Sequence, residues 1–287
     1  MRGIDHLVLA VADLEAARQR YTALGFTLTP QARHPFGTAN SLVQLDGAFL
    51  ELLCVAEPAA IPPHGPGRFS FPAFNRDYLA QGEGLSMLVL DSRDARADNE
   101  AFRQAGLITY EPFDFSRTAR LPSGEEAKVG FSLAFTSHLD IDDAGFFVCQ
   151  QHAPDRFWRR EYQRHANTAR TVEEVCLVAH RPLHFVEFMR AFVGSDEVVA
   201  SPHRVEIATA RGTVRVLTGD GFADRYGTAP PRAHRLPAFA GYTVGVSDFD
   251  AVRAAVERAD VATAKGDGRL TVVPGDAFGA ALAFARA

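Results

Sequence analysis

Cysteine is scarce in this chain of 287 residues: Cys54, Cys149 and Cys176 are its three, too few and too scattered for a disulfide framework or a Cys-rich zinc site. Any metal would have to be held by histidine and carboxylate. Concentrated positive charge is also missing. Thirty Lys+Arg stand against thirty-five Asp+Glu for a formal net charge of -5, with no basic block dense enough to neutralise a phosphate backbone. This argues against nucleic acid as a partner. No apolar run is long enough to span a bilayer, which argues against a membrane. The N-terminus enters a strand-like pattern without the basic and apolar regions of a leader, so a cytoplasmic protein is expected. Low-complexity stretches are absent as well, and 47% hydrophobic with 23% charged residues is ordinary for a folded, soluble chain.

The length supplies material for two domains. IDHLVLAV, from Ile4, alternates as a strand, and DLEAARQRYTALGF then sets Leu14, Ala17, Tyr21 and Leu24 at helical spacing, with Asp13 as N-cap and Gly25 closing the helix. The segments FTLTP, SLVQL and AFLELLCV read as strands, the last two joined by a DG turn. The first unit is therefore β-α-β-β-β. The Pro- and Gly-rich stretch AEPAAIPPHGPGRFSFPAF interrupts any regular element and reads as a linker or a loop over the sheet.

GLSMLVLDSRDARADNEAFRQAGL then repeats the opening. Gly84 stands for Gly3, Leu88-Val89-Leu90 for Leu7-Val8-Leu9, Asp94 for Asp13 and Gly106 for Gly25. VGFSLAFT and AGFFVCQQ complete a second β-α-β-β-β unit. Weaker copies begin at VEEVCLVAH and GYTVGVSDF. An α+β fold follows, with four tandem βαβββ modules paired into two mixed-sheet domains at 1–152 and 172–287. The segment 153–171, with the chain's one tryptophan, is a polar connector whose Trp158, His165 and Asn167 suggest interdomain packing first and substrate contact second.

Tandem units that open HLVLAV, continue D-L-x-x-A and end a helix in LGF resemble the vicinal oxygen chelate superfamily of glyoxalase I, bleomycin resistance proteins and extradiol dioxygenases. HPFGTAN, FLELL, GFFVCQQH and WRREYQRHAN resemble its glyoxalase-like domain group. The resemblance implies cup-shaped sheets and one divalent ion (Zn, Mn, Fe or Ni), or none, held by the first and last strands of paired units. In the first unit those positions are His6 and Glu51. In the second they are Met87 and Cys149, or Ser86 and Gln150 if each strand slips by one. In the third they are Glu174 and Val216, and in the fourth Gly241 and Ala283. The functional cup is thus expected in the N-terminal domain, and the C-terminal domain is a structural or dimer-forming copy.

A lone histidine on a core-facing strand is usually a hydrogen-bonded structural residue, but Glu51 at the matching position turns the balance toward a site. His152, just past the last strand of the second unit, is the expected third ligand, and His34 a rival for it. Without metal, Glu51 desolvated among Phe49, Leu50 and Leu52 would suit a general base with His6 as its partner. His34, Thr38 and Asn40 in the loop HPFGTAN, with Phe147 and Gln150, are the expected substrate contacts. Phe69 to Phe74 and the pair Phe146 and Phe147 are candidates to line an apolar pocket. Arg68, Arg117 and Arg120 could clamp an anionic group from loops, although solvated surface is the commoner use. The expected activity is a glyoxalase-like lyase, isomerase or hydrolase acting on a small carbonyl or enolisable molecule. The alternative is a metal-free binding or resistance protein of the bleomycin-resistance type.

Overall fold

The computed structural model describes residues 1–120 and 126–287, with side chains described over 1–116 and 129–287. The first unit runs β1 (Ile4–Ala10), α1 (Leu14–Ala23), β2 (Ala32–Arg33), β3 (Thr38–Gln44) and β4 (Phe49–Val55). After α2 (Phe71–Leu79) the second runs β5 (Gly84–Asp91), α3 (Ala95–Gln104), β6 (Ile108–Thr109), β7 (Phe113–Arg120), β8 (Glu126–Ser137) and β9 (Gly145–Gln151). A short helix, α4 (Pro154–Phe157), leads to the third unit: β10 (Ala169–Val178), α5 (Val186–Val193), β11 (Val198–Ser201), β12 (Arg204–Ala208) and β13 (Thr213–Leu217). Then come α6 (Gly219–Tyr226) and the fourth unit: β14 (Ala238–Val246), α7 (Phe249–Ala259), β15 (Thr263–Gly266), β16 (Arg269–Val272) and β17 (Ala281–Arg286).

The helix starts anticipated from the repeat are in place. Asp13 accepts from the backbone N–H groups of Glu15 and Ala16, and Asp94 from those of Arg96 and Ala97. Each cap satisfies two donors that have no partner within the helix and contributes about 1 kcal/mol. Gly25 and Gly106 follow their helices at φ +86° and +77°. Several readings change. FTLTP (26–30) is not a strand, and the second strand is the short β2 that follows it. The Pro-rich stretch is a loop only as far as Ser70, whose hydroxyl caps α2, with Pro72 in the first turn where its missing N–H costs nothing. The second unit carries the additional strand β7 on β8, and Arg117 and Arg120 lie on that strand, their side chains outside the described residues.

The first sheet has the order β2-β3-β4-β1-β5-β9-β8-β6, and the second β11-β12-β13-β10-β14-β17-β16-β15. In each sheet the first strands of two units lie antiparallel at the centre, and each is flanked by the parallel last strand of its own unit. Parallel pairing sets Phe49 opposite His6 and Glu51 opposite Val8. With a side-chain period of two, His6, Phe49 and Glu51 therefore share one face. The other face of each sheet joins a common core with the helices, in which Leu7, Leu52 and Phe146 meet Val175, Phe192 and Phe284. The buried hydroxyls of Tyr21 and Tyr242 meet at 2.8 Å across it. The second sheet begins at Ala169, inside the stretch read as connector, so the two sheets are separated only by α4 and the turns around it.

One glycine decides where a functional loop goes. Gly37 sits at φ +90°, and a Cβ there would lie 2.5 Å from the Glu57 carbonyl oxygen. Its own carbonyl accepts from both Ala56 N and Glu57 N at 2.9 Å, which ties the loop carrying His34, just before β3, to the end of β4. Left-handed backbone with a side chain costs about 1–3 kcal/mol, so Gly37→Ala is expected to lower the melting temperature by roughly 4–8 °C. Differential scanning calorimetry of the variant checks this, and an unchanged melting temperature would show that the loop shifts without strain.

Candidate active site in the N-terminal cup

His6 and Glu51 are both buried, at 5% exposure each, on adjacent central strands. His6 Nδ1 donates to Asp5 Oδ2 at 2.6 Å, and His6 Nε2 faces Glu51 Oε2 at 3.8 Å. Asp5 is a residue the sequence reading passed over, because strict alternation would turn it to the opposite face. A register shift between Ile4 and His6, where β1 pairs with β5, accompanies this departure and lets neighbouring side chains meet. Gln151 Nε2 donates to Asp5 Oδ1 at 3.0 Å and holds the carboxylate from the other side.

The loop histidine is arranged in the same manner. Asn40 Nδ2 donates to His34 Nε2 at 3.3 Å and to Glu51 Oε1 at 2.5 Å, which uses both of its amide protons. His34 Nε2 is then an acceptor, so Nδ1 carries the proton and donates to Thr38 Oγ1 at 2.8 Å. His34 Nε2 also lies 4.0 Å from Glu51 Oε1. Each imidazole is thus fixed at Nδ1 by its own partner and turns Nε2 toward a different oxygen of one carboxylate. Phe49 stacks on His6 at 4.3 Å and Phe36 on His34 at 4.9 Å between ring centres. Asn40 Oδ1 is buried without a hydrogen-bond partner among the described residues.

His6, His34, Phe36, Asn40, Phe49 and Glu51 line a cavity of about 50 Å³ whose remaining wall is Leu42, Phe71, Phe115, Phe131, Leu133, Phe147, Cys149 and Phe157. That space admits a few water molecules. Burial pushes the Cys149 thiol well above its ordinary range, with the charges of Asp5 and Glu51 adding to the effect, so it lines the wall as a thiol rather than a thiolate.

Of the residues expected from the sequence, His6, Glu51, His34, Asn40 and Phe147 converge on this cavity, and Thr38 acts through His34. Gln150 does not reach it: its side chain faces α3, donating to Arg93 O and accepting from Ala95 N. His152 does not reach it either, because its Nε2 is bonded to Ser132 Oγ at 2.8 Å. The slipped register of the second unit is set aside for the same reason, since the Ser86 hydroxyl is bonded to Asn75 Oδ1. Phe146 packs in the common core on the opposite face, and Phe69 stacks on Phe135 at 4.5 Å between ring centres. His165 and Asn167 bind the backbone of Gln44, Thr27 and Leu24, as packing residues do, while Phe157 from the same polar segment reaches the cavity.

The donor set suits a divalent ion. Two imidazole nitrogens and a carboxylate, each oriented by a second residue, are what zinc, iron, manganese or nickel accept, and His34 Nε2 would exchange its Asn40 hydrogen bond for the ion. The second cup is chemically different. Glu174, the counterpart of His6, accepts from Arg225 at 2.8 and 2.5 Å, from Arg215 Nε at 2.7 Å, from the Tyr226 hydroxyl at 3.0 Å and from Thr243 Oγ1 at 3.1 Å. Arg269 is 3.8 Å away. Guanidinium groups surround this carboxylate where a metal would otherwise sit.

The comparisons agree with this architecture. A crystal structure of a hypothetical protein from Staphylococcus aureus superimposes over 100% of both chains with a TM-score of 0.69 at 13% identity. A mutant of 4-hydroxymandelate synthase from Streptomyces coelicolor superimposes over 99% of this chain and 92% of that one, with a TM-score of 0.58 at 13% identity. A xylose isomerase-like TIM barrel/4-hydroxyphenylpyruvate dioxygenase fusion protein matches over 91% of this chain but 39% of its own, with a TM-score of 0.51 at 15% identity. These likenesses are of fold. Among curated proteins no sequence match is found. The profile of the glyoxalase-like domain matches residues 4–193, a span that takes in every residue of the N-terminal cup, and the chain accordingly belongs to the glyoxalase-like domain family.

Proposed function

We propose that the N-terminal cup is the active site of a cytoplasmic glyoxalase-like enzyme that moves a proton on a small carbonyl or enolisable molecule. The observation that carries this is the convergence of three basic groups, His6 Nε2, His34 Nε2 and the Glu51 carboxylate, on one aromatic-walled cavity. Glu51 is the base that takes a proton from the carbon beside the carbonyl. His6, held in one tautomer by Asp5, returns or relays it. Asn40 holds Glu51 in place and offers Oδ1 to a substrate hydroxyl. The phenylalanine walls exclude water and so strengthen each of these interactions. His6, His34 and Glu51 are the residues that would hold a divalent ion, whose chemistry is polarisation of the substrate oxygen. The small cavity fits the reacting end of a small molecule, and the C-terminal domain is assigned a structural or homodimer-forming role.

Solvent exchange tests this reading. Full-length protein, with its metal content measured, is incubated in D₂O with hydroxyacetone, dihydroxyacetone and the hemithioacetal of methylglyoxal, and deuterium at the carbon beside the carbonyl is followed by NMR. Exchange above the buffer rate for one of them is expected. Tight binding of a small molecule with no exchange across the panel would favour the metal-free binding protein instead.

A further inference from the structure

A second cluster of metal-ligating side chains lies outside the cup, where the two domains meet. β8 ends at Ser137, and the turn before β9 presents His138 and Asp140. The 3-10 turn Pro182–Phe185 leading into α5 brings His184 from the other domain to the same place. His184 Nε2 lies 2.7 Å from Asp140 Oδ2, and His138 Nδ1 lies 4.0 Å from the same oxygen. Donor atoms of the three residues all fall within 4.8 Å of one another, the one such group of three His, Cys, Asp or Glu among the described residues. Donor atoms around zinc are about 3.3 Å apart given its bond lengths, a spacing that 2.7 and 4.0 Å straddle. Asp140 and His184 are exposed and can settle to it.

The surroundings suit an ion. The Asp140 N–H donates to His138 Nδ1 at 3.2 Å, so that nitrogen is unprotonated and would exchange this hydrogen bond for an ion. Edge contacts to Phe185 and Phe188 hold the His138 ring, with centres 5.2 and 5.3 Å apart. The exposed side of the cluster leaves room for water to complete the coordination sphere.

We propose that His138, Asp140 and His184 form a site for a borderline divalent transition-metal ion, Zn²⁺ or Ni²⁺, which ties the two domains together across their seam. Two nitrogens and one oxygen select such ions over Mg²⁺ and Ca²⁺, which require oxygen ligands. The site is separate from the cup and stands whether or not the cup is catalytic. Metal-stripped full-length protein is titrated with ZnCl₂ by calorimetry, and its melting temperature is read, in wild type, His184→Ala, His138→Ala and His6→Ala. The expected result is one zinc equivalent that persists in His6→Ala and is lost in His184→Ala and His138→Ala. A rise in melting temperature of roughly 5–10 °C at a hundred times Kd should accompany it. Equal zinc binding in His184→Ala and wild type would overturn the proposal, as would binding in the millimolar range only or no thermal shift in His6→Ala. Because the His184 side chain is exposed at the surface, its alanine variant is expected to keep the fold.

Discussion

Replacing Glu51 by glutamine is expected to lower the rate of solvent-proton exchange into the accepted substrate by roughly 10²–10⁴-fold, the range for removal of a positioned general base. The substitution preserves shape, and the glutamine carbonyl can still accept from Asn40, so the cavity and its walls stay as they are. What disappears is the carboxylate that faces His6 Nε2 at 3.8 Å and His34 Nε2 at 4.0 Å. Asp5→Asn separates base from relay. Asp5 touches only His6 and Gln151 in this network, so its loss should cost less than that of Glu51 and change the pH profile rather than abolish exchange. Metal content measured on the same samples distinguishes a ligand from a base. If Glu51→Gln loses both metal and exchange, the carboxylate holds the ion; if it keeps metal and loses exchange, the carboxylate moves the proton. A variant that retained more than a tenth of the wild-type rate would remove Glu51 from the mechanism.

The second large effect is on stability, and it lies in the second cup. Burial by itself pushes the Glu174 carboxyl up, but the hydrogen bond and charge of Arg225, followed by the charges of Arg215 and Arg269, hold it down at about 2 against an ordinary 4.5. Folding therefore favours the charged form. The sign follows: the contribution is fully present above about pH 4.5 and is lost as pH falls through about 2. The gap corresponds to about 3 kcal/mol. Glu174→Gln removes this contribution and leaves Arg225 and Arg215 with a neutral partner in a buried place, a loss of about 3–5 kcal/mol, or roughly 10 °C in melting temperature. Thermal melts between pH 2 and 7 should show a steep acid limb in wild type that is flattened in the variant. A loss under about 1 kcal/mol would mean that Glu206 and Asp267, already within reach of Arg215 and Arg225, can hold those guanidinium groups unaided.

The contrast between the two cups shows what could be read in advance. Comparing His6 with its counterparts in the other modules singled out one pair, His6 and Glu51, and that comparison needed only a strand period of two and a repeat. The caps at Asp13 and Asp94 and the glycines after both helices were legible because each is settled within one module by local backbone chemistry. Asp5 was hidden because a register shift next to His6 breaks the alternation on which the reading depended. The third member of the cluster was misplaced because His152 and His34 are equally plausible in sequence. Only the fold of the Gly37 loop against Glu57 brings His34 to the cavity, while Ser132 holds His152 elsewhere.

Long-range convergence was out of reach altogether. Arg215 on β13, Arg225 on α6 and Arg269 on β16 close around Glu174 from three elements, and no local pattern tells that these long side chains share one carboxylate. His138 and His184 meet across a seam between two domains, where contact depends on how one sheet's helices pack on the other's. The sequence by itself determined the modules, their pairing and the two residues at the centre of the first cup, because periodicity and capping act over a few residues. Only the tertiary structure decided which side chains meet across strands, loops and domains, because those meetings follow from register and packing between segments that are distant along the chain.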